Sequence, residues 1–157
     1  MKAFKNVSVY VEGKGVVKTN VYFDEKIEQI GGYVAGAEEI ALPENAVVLP
    51  GFIDEHIHGA GGSDAMDGNV KDLAIIADTV AKEGTTTFLA TTMTQSKENI
   101  LTAMRAVKEY REEAREEGAR IAGVHLEGPF IAAAHKGAQP LEYVAAPDSK
   151  TFDEYNA

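Results

Sequence analysis

The chain carries four histidines, and two of them, His56 and His58, stand one residue apart in PGFIDEHIHG at 50–59. On a strand, residues i and i+2 face the same way, so the two imidazoles project together while Ile57 points to the opposite side. Two parallel imidazoles can converge on one ion, and imidazole nitrogen suits zinc, iron, cobalt or manganese. An apolar pair, Phe52 and Ile53, precedes them, Asp54 lies close by, and glycines follow. A second stretch, RIAGVHLEGPF at 120–130, repeats the logic, with His125 and Glu127 on one face and Val124 and Leu126 on the other. Glu127 reads either as a third metal ligand at the mouth of the sheet or as a rim carboxylate in a surface ion pair. His125 either orients Glu127 as an outer partner or packs as a core histidine. The chain has no cysteine, so a metal here must be held by His, Asp or Glu.

The elements that must position these groups are legible from periodicity. Residues 2–30 carry β-branched and aromatic residues in partial alternation, with Gly13 and Gly15 bracketing a turn and 26–30 a further strand. This predicts a small antiparallel sheet, followed by a loop through Pro43. Short apolar runs at 47–49 and 52–57 flank Pro50-Gly51, and GAGGSDAMDGN at 59–69 reads as a glycine-rich loop in which Asp64 and Asp67 cap or turn. Val70, Leu73, Ala74, Ala77, Val80 and Ala81 recur at helical spacing, with Asn69 as N-cap and Gly84 as stop. TTTFLATT at 85–92 reads as a strand. A second helix is expected over 97–117, capped by Ser96, lined by Ile100, Met104, Val107, Tyr110 and Ala114 and ended by Gly118. Its charged run REEAREE at 111–117 reads as a solvated face. Residues 120–126 form the third strand.

Strand, loop, helix, strand, helix, strand implies a parallel α/β sheet. The polar and glycine-rich residues follow the strands, which is the ligand-binding side of barrels and open α/β sheets. The chain has 157 residues, 45% hydrophobic and 25% charged, with a formal net charge of −10. That composition can fill a core, and that charge repels phosphate backbones and anionic membranes, so neither nucleic acid nor a membrane is an expected partner. No apolar run approaches the ~20 residues of a membrane span, and no signal-peptide pattern opens the chain. A soluble, cytoplasmic protein is the expectation.

PGFIDEHIHG, GGSDAMDG, GTTTFLATTMT, GVHLEGPF and HKGAQP occur in that order. Together they resemble the N-acetylglucosamine-6-phosphate deacetylase family of the amidohydrolase superfamily, over essentially the whole chain. H-x-H is generic to the superfamily, whereas HLEGPF followed by KGAQP is much more specific. The resemblance implies a metal-dependent (β/α)8 (TIM) barrel beside a small β-sandwich domain. Residues 1–48 would be the N-terminal part of the small domain, and 49–157 the first three or so βα units of the barrel. It implies His56, His58 and Glu127 as metal ligands, and the Ala138 backbone with the Gln139 side chain as sugar contacts. It also implies one or two divalent ions per complete site, of zinc, iron, manganese or cobalt, two being favoured because the second histidine is kept. IAAAH at 131–135 departs from the more polar residues of relatives.

The implied reaction is hydrolysis of the N-acetyl group of N-acetylglucosamine 6-phosphate to acetate and glucosamine 6-phosphate. Such a metal lowers the pKa of water to roughly 7, and a carboxylate hands the proton to the leaving amine. In the family that carboxylate is a late-strand aspartate, expected downstream of Ala157 together with two further histidines and the phosphate-gripping residues. A barrel needs about 250 residues, so the chain reads as an N-terminal portion with an incomplete barrel. Exposed strand edges would then invite self-association, and turnover by the 157 residues alone is not expected. Complete relatives are often dimers. The other function classes left open are a different amidohydrolase-superfamily hydrolase or deaminase, and a non-catalytic fragment.

Overall fold

A computed structural model describes residues 1–113, 115 and 117–156; the helix contact expected of Ala114, and Glu116 of the charged run, lie outside the described residues. The chain divides into two units, Met1–Pro50 and Gly51–Ala157.

In the first unit β1 (Lys2–Val11) and β2 (Gly15–Phe23) form an antiparallel hairpin, and β3 (Ile27–Ile30) pairs antiparallel with β2. Two short strands, β4 (Glu38–Glu39) and β5 (Val47–Val48), run parallel to β1, so the sheet is mixed rather than wholly antiparallel. The reason is topological: the stretch after Gly32 carries the chain back across the sheet, so it re-enters beside β1 running in the same direction. The register slips between Phe4 and Val7, a bulge in which Asn6 takes a positive φ of 49°. The extra residue lets Phe4 pack with Val7 and Val9, although Phe4 and Val7 are three apart in sequence.

In the second unit β6 (Phe52–Ile57), β9 (Thr85–Thr91) and β10 (Arg120–His125) form a parallel sheet in the order β10-β9-β6. Between β6 and β9 lie a two-stranded hairpin, β7 (Gly59–Ala60) with β8 (Ser63–Asp64), a single 3-10 turn at Ala65–Asp67, and α1 (Val70–Ala81). The glycine-rich segment is therefore more ordered than a plain loop. Asp64 accepts from the Met66 N–H at 2.8 Å, and the Asp64 N–H donates to Asp67 at 2.8 Å. Both carboxylates thus serve the turn, as their setting in sequence suggests.

Helix α2 (Lys97–Glu112) joins β9 to β10, and α3 (Ser149–Tyr155) lies near the chain end. Leu73, Ile76, Ala77 and Val80 of α1, Ala106, Val107 and Tyr110 of α2, and Phe88, Ala90 and Ile121 of the strands make one buried cluster. The apolar stripe of each helix faces it, which is what the 3.6-residue spacing requires. Helix α2 stops before the expected Gly118, because Glu113 is already extended with ψ 122°. Gly118 instead holds a φ of +84° where a Cβ would lie 2.7 Å from Asp78 Oδ1, as the chain turns under α1 into β10. No helix among the described residues is long and apolar enough to cross a membrane.

Ser96 caps α2 and Asn69 caps α1. Asn69 Oδ1 accepts from the Asp72 N–H at 3.0 Å, while Asn69 Nδ2 and Ser63 Oγ donate to the Asp72 carboxylate at 2.6 and 2.7 Å. Those two donors, Ser63 first, hold the Asp72 carboxyl below its ordinary pKa. A depressed folded-state pKa contributes stability that is present above the unfolded-state value and lost as pH falls through the folded one. Asn69→Ala should cost about 1 kcal/mol of stability at neutral pH, read from urea melts. Asp72→Asn should flatten the acid limb of stability below the ordinary carboxylate range; an unaltered acid limb would refute the assignment.

Candidate metal centre

The three parallel strands deliver their carboxyl ends to one side of the sheet, and the polar residues sit there. His56 lies near the end of β6 and His58 just past it. The Ile57 N–H donates to Thr91 Oγ1 at 2.9 Å, tying β6 to the end of β9, and the His56 N–H is held by Asp54 Oδ1 at 3.0 Å. Asp54 therefore works on the backbone of its own strand. Gly128 ends the β10 extension, and Glu127 projects just before it.

The side chains converge. Glu127 Oε2 lies 2.9 Å from His56 Nε2 and 3.2 Å from His58 Nε2. Among the described residues these are the three His, Asp or Glu side chains that offer ligand atoms to one point, all within 4.8 Å of one another. His58 Nδ1 lies 3.2 Å from the Thr91 carbonyl oxygen. A carbonyl can only accept, so Nδ1 carries the proton and the Nε2 lone pair is left for the centre. This is the outer hydrogen bond that metal-ligating histidines ordinarily make. Glu127 is 28% exposed and His58 34%, so an ion and a small molecule can reach the group. Two neutral imidazole nitrogens and one carboxylate oxygen are the donor set of a catalytic divalent-metal site, and the residues fit such an ion.

His125 settles into a third position. Its Nδ1 meets the Glu55 carbonyl at 2.8 Å, and its ring lies 4.5 Å from that of His56. It is half-buried, so it is not a core histidine, and its ring nitrogen bonds the β6 backbone rather than Glu127. Ala138 is exposed, on a turn in which the Gln139 N–H donates to the Lys136 carbonyl at 3.1 Å. Gln139 is only 6% exposed and its side chain turns inward, onto Glu127.

The residue that sequence reading missed is Thr94, fully buried just past β9. Its N–H donates to Gln139 Oε1 at 2.9 Å and its Oγ1 to the Glu127 carbonyl at 3.3 Å. The run TTTFLATTMT signalled strand propensity only. The repeated threonines at its carboxyl end, where no apolar partner is needed, were the available sign of a polar role.

Residues 47–155 match the family model described as the amidohydrolase family. The N-acetylglucosamine-6-phosphate deacetylase of Bacillus subtilis (strain 168) is 43% identical over 121 residues, which is 76% of this chain and 31% of that protein. That of Lysinibacillus sphaericus is 40% identical over 136 residues, 85% of this chain and 35% of that protein. The crystal structure of N-acetylglucosamine-6-phosphate deacetylase from Pasteurella multocida superposes with a TM-score of 0.85 at 31% identity, covering 98% of this chain and 42% of that one. The chain spans about a third of the length of the curated relatives it matches.

Proposed function

Because the chain belongs to the amidohydrolase family, we propose that it supplies part of the metal site of an enzyme that hydrolyses the N-acetyl group of N-acetylglucosamine 6-phosphate to acetate and glucosamine 6-phosphate. The observation that carries this is the meeting of His56, His58 and Glu127 at the carboxyl ends of parallel strands. The likeness to deacetylases over most of the chain supports the choice of substrate.

In this proposal β6, β9 and β10 are the first strands of a (β/α)8 barrel, over 49–157, and residues 1–48 are the N-terminal part of a small β-sandwich. His56, His58 and Glu127 hold a divalent ion, zinc, iron, manganese or cobalt. When bound, such an ion supplies acidified water near neutral pH and polarisation of a carbonyl. The protein's own contribution is orientation. Thr91 fixes the His58 tautomer, His125 braces the His56 ring, and Glu127 brings the negative charge that balances the cation. The Ala138 backbone, on the exposed 136–139 turn, is the proposed sugar contact; the Gln139 side chain, expected there by the resemblance, is buried and engaged with Glu127 instead. The proposal extends to a cytoplasmic enzyme, dimeric in its complete form, with an amino-sugar phosphate as its small-molecule partner.

The test is acetate release from N-acetylglucosamine 6-phosphate by the protein encoded in the whole reading frame that contains these residues. Turnover should require added divalent metal and fall at least 100-fold in Glu127→Gln. Metal-independent turnover would reject the metal role of these three residues, and no turnover on this substrate alongside clear hydrolysis of a cyclic amide or an aromatic amine would reject the deacetylase in favour of another amidohydrolase.

A further inference from the structure

Gln139 is buried, it lies twelve residues beyond Glu127, and every hydrogen-bonding atom of its amide is used. The orientation of that amide follows from chemistry. The Thr94 N–H can only donate, so the amide atom 2.9 Å from it must be the oxygen. The amide nitrogen then has to face Glu127 Oε1, with which it makes a close hydrogen bond, and its other side meets Met93 Sδ at 3.8 Å. The two oxygens of Glu127 consequently do different jobs. Oε1 is held by Gln139, and Oε2 is the oxygen turned to His56 and His58. Thr94 closes the loop by also donating its hydroxyl to the Glu127 carbonyl.

We infer that Gln139 is a positioning residue: with Thr94 as its anchor, it fixes Glu127 as a one-oxygen ligand and presents Oε2 to the histidine pair. This is a task for the side chain distinct from contacting a sugar, and it rests on the metal reading above. Without the amide, nothing in the Thr94–Gln139–Glu127 chain distinguishes the two oxygens. The carboxylate could then rotate or offer both, and a carboxylate free to turn is a weaker and less selective ligand. Loss of such an outer partner typically costs roughly 10–100-fold in metal affinity.

The test uses the 157-residue chain with cobalt(II), by chelator competition and visible absorption. Gln139→Met keeps the shape and removes the amide. Gln139→Glu keeps an oxygen for the Thr94 N–H and removes the donor to Glu127. Both are expected to bind cobalt roughly 10–100-fold more weakly and to shift its ligand-field bands, which a merely structural defect in a folded variant would not do. Folded variants with unchanged affinity and unchanged bands would overturn the inference while leaving the metal reading intact. Failure of the unmutated chain to bind cobalt at all would overturn both. A measurement without variants stands beside these: in the ¹⁵N-labelled chain the Gln139 side-chain NH₂ should exchange slowly and move on adding zinc. A rapidly exchanging NH₂ that ignores zinc would overturn the inference even if both variants failed to fold.

Discussion

His56→Ala and Glu127→Ala should each weaken zinc or cobalt binding by more than the roughly 10–100-fold that loss of an outer partner costs, because each removes a donor outright. The same substitutions should abolish the thermal stabilisation by metal. An ion at about 100 times its dissociation constant adds about 2.7 kcal/mol to the folded state, and the variants should show almost none of it at the same concentration. The physical reason is the shared atom: Oε2 of Glu127 lies within 3.2 Å of both Nε2 atoms, so removing any corner opens the group. His58→Ala should behave alike, with the added loss of the hydrogen bond to the Thr91 carbonyl. His125→Ala should cost less, since it packs on the His56 ring and bonds the Glu55 backbone and is not one of the three converging ligand side chains. Glu28→Ala, on an exposed strand of the other unit, serves as the control. Equal metal content in the wild type, His56→Ala and Glu127→Ala would remove the ligand assignment.

Gly128→Ala should be strongly damaging for so small a change. A Cβ there would sit 1.9 Å from Thr94 Oγ1 and 2.9 Å from Thr94 Cβ, and Thr94 is fully buried and cannot swing away. The backbone φ of +76° adds a penalty for any L side chain, roughly 1–2 kcal/mol, on top of the 1–3 kcal/mol or so of overpacking. The damage should not stop at stability, because Thr94 anchors Gln139 and the Glu127 backbone. Metal affinity should fall with the melting temperature. Thr94→Ala placed with Gly128→Ala should recover part of the stability, since the closest clash is with the hydroxyl, and a double-mutant cycle reads that coupling. Additive losses would mean that the two residues do not meet as described.

How much of this was visible in sequence depends on the range of the interaction. The His56 and His58 pairing follows from strand alternation, a local rule, and both helix starts follow from Asn69 and Ser96, whose side chains bond three residues ahead. Glu127 is readable as a ligand candidate because it ends an apolar strand before Gly-Pro. What alternation cannot say is which oxygen faces the histidines, or that Gln139 turns inward. That depends on the Thr94 N–H, 45 residues away in sequence. His125 illustrates the same limit: sharing a face with Glu127 by parity, it could be read as that residue's partner or as a core histidine, yet the neighbouring strand placed the Glu55 carbonyl against it. The early end of α2 and the parallel pairing of β4 and β5 with β1 likewise reflect tertiary placement rather than local propensity.

The most direct measurement is anomalous diffraction at the zinc or cobalt edge from crystals of the chain grown with that ion. The expected result is a single strong peak about 2.0–2.2 Å from His56 Nε2, His58 Nε2 and Glu127 Oε2, with Gln139 still on Oε1. A peak held by other residues, or by the histidines with Glu127 turned away, would contradict it.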